Sequence, residues 1–345
     1  MTSNDSGPVH PLSPRRWAAI DVLLTVYFTL FIVAAACGNG PNRELAVSGM
    51  TVDLVLFVAM VLVHRSEVGA RFPVAMSAAY RTVVFATFLT SYLQLQIVLP
   101  AVTSRIVDAK VYAVDLALFG FEPALAWDHL VTPARVEWFA FFYYLHFFVL
   151  ASHVLPMLLF GGPGPLLARF TFGILLVFCV GHLTYLLVPG YGPFWFFRGQ
   201  FVHEPLPGGT YWNLVQTAVA AGGAGKDIFP SLHTAGPSFV AMFAFLHRRT
   251  RPFSWTWPIL AFVALNIIGA TLFLRWHYIV DVVAGLVLAA ASNAISLWLS
   301  PREAAWRAHN GLAPVFDELL PNPMPSLFGD TEPPRKSLGD AEKRR

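Results

Sequence analysis

Apolar residues fall into long, separated runs, and each run is close to the length that crosses a bilayer as a helix, about 20 residues. They cover residues 17–37, 50–64, 79–102, 136–160, 165–188, 231–246, 255–274 and 277–299. Eight such runs predict about eight transmembrane helices and an all-α, polytopic membrane bundle. Residues 1–16 are polar, rich in Pro and Ser, and end in Arg15 and Arg16; they predict a disordered cytoplasmic N-terminus. The run that follows is longer than a signal-sequence core, and Ala34-Ala35-Ala36-Cys37 is a poor cleavage site, so it reads as the first helix. Residues 17–300 form the membrane domain. Residues 301–345 start as an amphipathic stretch and become Pro-rich and charged, a cytoplasmic tail.

Two connections exceed simple turns. Residues 103–135 contain a partly apolar piece, Val111 to Gly120, expected to lie in the interface as a short helix. Residues 189–230 carry Phe194, Trp195, Phe196, Phe197, Tyr211 and Trp212, then Gly222-Gly223-Ala224-Gly225, and lead directly into Pro230-Ser231-Leu232-His233. Aromatic residues placed this way either anchor a protein among headgroups or build a mobile lid over a lipid-facing site; both readings stay open. No internal repeat is visible, which disfavours inverted-repeat transporter folds.

Composition excludes a soluble globule: 56% of the residues are apolar against 12% charged, and the mean hydropathy is +0.58. Cys37 and Cys179 sit in distant apolar runs, so neither a disulfide framework nor a cysteine metal site is available. A net charge of +3 gives no nucleic-acid footprint. The basic residues report topology instead. With the N-terminus in the cytoplasm, most of the 23 Lys and Arg residues fall on that side, among them the Arg248-Arg249-Thr250-Arg251 turn. Both termini are then cytoplasmic.

Two segments carry candidate chemistry. Pro230-Ser231-Leu232-His233 opens one apolar run, and Arg275-Trp276-His277-Tyr278-Ile279-Val280-Asp281 opens another. Between them lie one helix in, a basic turn and one helix back, so His233 and His277 return to the same face, the outer one. His277 and Asp281 are four residues apart and share a helix face. A carboxylate holding one imidazole nitrogen leaves the other free to attack phosphorus. The rival reading is a capping Asp and an interfacial His satisfied by water. Ser231 and the first-turn N–H groups beside His233 suit an anion, and His233 is placed to act as general acid and then base. Arg275 is a candidate phosphate clamp and Lys226 a second; for both, snorkelling at the membrane end is the alternative. His146, His153 and His182 have no acidic partner in their helices beyond Glu137 and read as histidines lining a polar cavity, so neither metal nor cofactor is expected.

These residues resemble the type-2 phosphatidic-acid phosphatase superfamily, whose later motifs are Pro-Ser-x-His and His-x-x-x-Asp. The resemblance implies a six-helix core over about residues 108–300. It also implies His277 as nucleophile, Asp281 as its orienter, His233 as acid and base, and a phosphohistidine intermediate without metal. Two features depart from the pattern: there is no Lys-x6-Arg-Pro motif, and Arg275 stands two residues before His277 rather than six. The departures look like the inositolphosphotransferase branch, which includes inositol phosphorylceramide synthase. Phe229 to His233, Pro189 to Trp195, Val114 to Gly120 and Tyr143-Tyr144-Leu145-His146 are similar to segments of that branch. The implied function is headgroup phosphotransfer on a phospholipid or lipid phosphate, with a sphingolipid-type hydroxyl as acceptor. A lipid phosphatase using water, and a non-catalytic lipid-binding or transport protein, stay open as alternatives.

Overall fold

A computed structural model describes residues 17–161, 164–222, 225–317 and 319. The expected disordered segment 1–16, most of the tail, and Gly223 and Ala224 of the expected lid lie outside the described residues.

All the regular structure among the described residues is helical. The order is α1 (Ala19–Cys37), α2 (Arg43–His64), α3 (Glu67–Arg71), α4 (Pro73–Val102), α5 (Asp108–Phe119), α6 (Pro123–Ala126), α7 (Pro133–Phe160), α8 (Pro165–Tyr185), α9 (Pro193–Phe196), α10 (Thr210–Gly222), α11 (Leu232–Leu246), α12 (Phe253–Phe273) and α13 (Ile279–His309). Seven of these are long and apolar enough to cross a membrane: α1, α2, α4, α7, α8, α12 and α13. The eighth expected span, α11, has only 15 residues. At 1.5 Å per residue it covers about 22 Å, short of a hydrocarbon core of about 30 Å. It can be short because it is buried along most of its length by neighbouring helices, and the segment before it enters the bundle without helical structure.

Three boundaries differ most from expectation. Helix α2 begins at Arg43 and α4 at Pro73, each earlier than its apolar run; α2 gains a polar first turn, Arg43 and Glu44, and α4 starts on a proline at its first position. Helix α13 passes through Ser300 unbroken to His309, so the expected tail begins inside a helix. Residues 313–317 then fold back onto the bundle, burying Val315 and Phe316.

Helix α11 lies at the centre, packed by α7, α8, α12 and α13; α1 docks on α8 and brings α2 and α4 with it. The N-terminal end of α1 meets the far end of α13, where the Ala19 N–H donates to Glu303 Oε1 at 2.8 Å. His277 immediately precedes the other end of α13, about 36 Å away along the helix axis. The start of α1 and the far end of α13 therefore lie at one end of the bundle and the histidine pair at the other.

The end near the termini is held by buried charge. Asp21 accepts the Tyr80 hydroxyl at 2.5 Å, Arg65 Nε at 3.2 Å and the Ala18 N–H at 2.7 Å. Arg81 donates to the carbonyls of Leu158 at 2.6 Å and Gly161 at 3.1 Å, and to that of Asp317. Arg65 and Arg81, which in the sequence only mark a membrane side, are buried fasteners between helices.

Candidate active site

The site begins with the way α12 ends. The N–H groups of Arg275 and Trp276 donate to the carbonyls of Leu272 and Thr271, each at 3.0 Å, the paired bonds of a Schellman motif. Its left-handed position is usually glycine; here Arg275 holds it, at φ 69°. Such a backbone costs about 1–2 kcal/mol for a residue with a side chain. The Arg275 side chain compensates: Nη2 lies 2.7 Å from Asp128 Oδ1, and the guanidinium sits 3.8 Å over the Phe201 ring. Burial pulls the guanidinium pKa down against the opposing pull of Asp128. Arg275 thus fixes the loop instead of facing the site.

The motif turns the chain so that the His277 N–H also returns to Thr271, at 3.1 Å, and Tyr278 starts α13. Asp281, in the first turn, accepts the Tyr278 N–H at 2.9 Å through Oδ2, and His277 Nδ1 stands 3.4 Å from the same oxygen. One carboxylate therefore caps the helix and faces the imidazole. The next two donors of α13, the N–H groups of Ile279 and Val280, go to Asp115 of α5 at 2.8 Å each. Burial raises the Asp115 pKa, opposed by those two bonds. The interfacial helix expected from Val111 to Gly120 is present as α5, and its buried aspartates face inward.

Ser231 caps α11: its Oγ accepts the Thr234 N–H at 3.2 Å, and its own N–H donates to the Asp281 carbonyl at 3.0 Å. That last bond ties the two histidine segments together. The helices meet so closely that a Cβ on Gly285 would lie 2.6 Å from the Ser231 carbonyl oxygen. As a result the His233 and His277 rings stand 6.2 Å apart between centroids. His233 is stacked on Tyr143 at 4.3 Å, whose hydroxyl lies 3.3 Å from His233 Nδ1, and His146 presses on the same ring at 4.6 Å.

Around this pair the described parts of the 189–230 connection form a collar. Asp108 accepts the N–H groups of Tyr191 and Gly192 at 3.0 and 2.8 Å and the Tyr278 hydroxyl at 3.2 Å. Gly192 has φ 80°, and a Cβ there would meet the Trp276 carbonyl oxygen at 2.4 Å. The Phe194 N–H donates to the Arg275 carbonyl at 2.6 Å, and its ring stacks on Trp276 at 5.0 Å. Farther along, Glu137 of α7 accepts the N–H groups of Gly209, Trp212 and Tyr211 at 2.8, 2.9 and 3.1 Å, which holds the start of α10. The aromatic connection thus packs partly inward, with Phe197 and Trp212 buried and Trp195 exposed.

A cavity of about 280 Å³ opens over the two histidines, with Tyr143, Tyr191, Trp195, Trp276 and Asp227 in its wall. Neither Arg275 nor Lys226 lines it. Lys226 is buried and donates to the Thr103 carbonyl at 3.1 Å. Ser231 serves its own helix. Of the six residues singled out in the sequence, His233, His277 and Asp281 come together, while Ser231, Arg275 and Lys226 hold backbone or a carboxylate around them. Their polar groups sit at helix ends, where main-chain donors and acceptors compete for them.

Sequence reasoning gave no role to Asp108 and Asp128, and took Tyr143 and Asp115 only as parts of segments similar to the inositolphosphotransferase branch. The available signal was the set of acidic residues in apolar outer segments, which need partners when buried. Of the three other histidines, His153 turns back to the Val149 carbonyl at 3.3 Å, His182 Nδ1 lies 3.0 Å from the Tyr27 hydroxyl, and His146 packs on His233.

A helical membrane bundle that sets two imidazoles beside a buried aspartate at one end, below a closed collar, defines a class of membrane protein built around a two-histidine site. Residues 110–295, more than half of the chain, match the PAP2 superfamily, and the protein belongs to it. No curated protein and no solved structure matches the chain. The matched stretch holds α7, α8, α11 and α12 whole, with most of α5 and the first part of α13; α1, α2 and α4 lie outside it. Of an expected six-helix core, the long helices α7, α8, α12 and part of α13, with the shorter α11, lie within the match. Membership carries action on lipid phosphates in general terms.

Proposed function

We propose that the chain is a lipid phosphotransferase working through a phosphohistidine on His277. The observation that carries this reading is the pair of rings 6.2 Å apart under one cavity, with Asp281 behind His277. With Nδ1 held toward the carboxylate, the His277 Nε2 lone pair attacks phosphorus. The N–P bond forms as the P–O bond to the departing alcohol breaks, and His233 gives its proton to that oxygen. In the second step His233 takes the proton from an acceptor hydroxyl, whose oxygen bonds phosphorus as the N–P bond breaks. No metal takes part.

The upper cavity supports a polyol-bearing headgroup of the inositolphosphotransferase type. Among the described residues its wall offers ring faces, tyrosine hydroxyls and the Asp227 carboxylate, and no Lys or Arg. Carboxylates and phenols take the hydrogen bonds of hydroxyls, whereas a bare phosphate monoester calls for cations. The excess of arginines at the opposite end of the bundle supports an outward-facing site, with both termini in the cytoplasm.

Purified protein in detergent, offered phosphorus-labelled phosphatidylinositol with and without ceramide or diacylglycerol, tests the reading. A labelled lipid product that needs the acceptor, lost in His277→Ala and His233→Ala, is expected. Labelled inositol phosphate released from phosphatidylinositol without acceptor, or inorganic phosphate released from labelled phosphatidic acid offered in parallel, makes the protein a hydrolase, and an inert wild type across lipids makes it a binder.

A further inference from the structure

Below His233 lies a second cavity, of about 420 Å³, enclosed by α4, α7 and α8. It shares Tyr92, Phe147, Asp227 and His233 with the upper one, so the two meet at the histidine. Its wall follows α7 from His146 to Leu158, about 18 Å of helix, more than half of the hydrocarbon layer. The lining is mostly apolar, with Tyr92, Thr171, Tyr185, Asp227 and three histidines, His146, His182 and His233, as its polar members. His182 Nε2 and His146 Nδ1 are buried and have no hydrogen-bond partner among the described residues, and both side chains line this chamber. A buried polar atom left without a partner costs about 1–3 kcal/mol, so an apolar chamber is a poor place for two of them unless its occupant brings polar atoms.

We infer that this chamber holds one acyl chain of a lipid whose reacting group lies at His233, with the ester, amide or hydroxyl at the head of that chain bonded to His182 and His146. The inference rests on the phosphotransfer reading for the direction of the lipid, not for the presence of the chamber. Three facts set the occupant. The chamber runs along about 18 Å of α7 between mostly apolar walls, it meets the upper cavity at His233, and its unpartnered atoms, His182 Nε2 and His146 Nδ1, lie in those walls. The wall opposite α7 is made by Val84, Phe85, Phe88 and Leu89 of α4, and His182 is held at Nδ1 by Tyr27 of α1. Both helices lie outside the family match. The added N-terminal helices therefore complete a chain-binding wall that the matched region lacks.

The donor lipid and the acceptor lipid share this chemistry, and cross-linking separates them. Full-length protein in phosphatidylcholine vesicles is given, in parallel, phosphatidylinositol or diacylglycerol carrying a diazirine in one acyl chain, and the labelled peptides are mapped after irradiation. Label on α4 between Val84 and Leu89, or on α7 between Leu150 and Leu158, from either lipid is expected; the lipid that gives it identifies the source. Leu150→Trp, which fills the chamber, is expected to cut that label at least fivefold, and Ala151→Phe does the same should the first variant not fold. His277→Ala is expected to keep the label while losing turnover, so failure of the transfer chemistry is distinct from failure of the chamber. Label confined to outward-facing residues such as Val22, Leu30 and Trp138, or chamber label indifferent to both filling variants, overturns the inference.

Discussion

The backbone carbonyl of Asp281 accepts the N–H of Ser231 at 3.0 Å, while the Asp281 side chain faces His277 Nδ1 at 3.4 Å. A single residue thereby joins the segment carrying His233 to the ring of His277. Its backbone carbonyl ties the two motifs together and its carboxylate faces the ring of one of them. The two roles separate under mutation, because replacing the side chain leaves the carbonyl in place.

Asp281→Asn keeps the size and the carbonyl but removes the charge that fixes the imidazole tautomer. Turnover is expected to fall by about 10³- to 10⁴-fold, as in other oriented histidines. The thermal unfolding midpoint in detergent is expected to shift little. A turnover within tenfold of wild type removes Asp281 from the mechanism.

Gly285→Val addresses the backbone role. The first added carbon would already lie 2.6 Å from the Ser231 carbonyl oxygen and 3.3 Å from Thr234 Cβ, forcing α11 away from α13. A stability loss of about 1–3 kcal/mol is expected from overpacking, together with loss of activity. Chemical denaturation and lipid turnover measured on the same preparation check it.

Arg275→Ala is expected to act on stability. It leaves the Asp128 carboxylate, 10% exposed, with the N–H groups of Val202 and His203 but without its arginine, and breaking such a buried pair costs up to about 3–5 kcal/mol. The double variant Arg275→Ala with Asp128→Ala is expected to lose less than the single one, since no lone charge remains. Equal losses in the two would argue against the pairing, and a KM effect without a stability effect would return Arg275 to the substrate.

Glu122 gives a pH dependence. Burial, with a smaller push from Asp115 and Asp281, drives its carboxyl pKa up from 4.5 to about 8 against the Ala124 N–H bond. The folded protein then binds this proton more tightly than the unfolded chain does. Its contribution to stability is complete below about pH 4.5 and is lost as pH rises toward 8. Unfolding midpoints across that window are expected to fall with pH in wild type and to flatten in Glu122→Gln.

Glu137→Ala removes the acceptor for three N–H groups at the start of α10. Amide exchange over residues 209–213 is expected to quicken by an order of magnitude or more, about 1.4 kcal/mol per tenfold, while exchange in α11 stays the same. Unchanged exchange would show that α10 is held by its ring contacts alone.

The sequence alone carried the parts of this protein that depend on spacing. Long apolar runs dictate membrane helices because unpaired backbone cannot sit in lipid; the spacing of four puts His277 near Asp281, although His277 precedes α13 and meets Asp281 because that residue caps the helix from its first turn. The interfacial helix near Val111 and the return of both histidines to one face were legible for the same reason. What the sequence left open is where long polar side chains end. Arg275 and Lys226 stood beside the motifs and read as phosphate clamps; in the fold, Arg275 turns to Asp128 and Lys226 to the Thr103 carbonyl. Such a side chain has many partners within reach, and only the packing of segments distant in sequence selects one. The same holds for the aspartates of the α5 region and for the chamber beneath His233, whose walls come from α4, α7 and α8. Local periodicity fixes elements, because neighbours along the chain are always neighbours in space; a cavity is defined by surfaces that meet only after those elements pack.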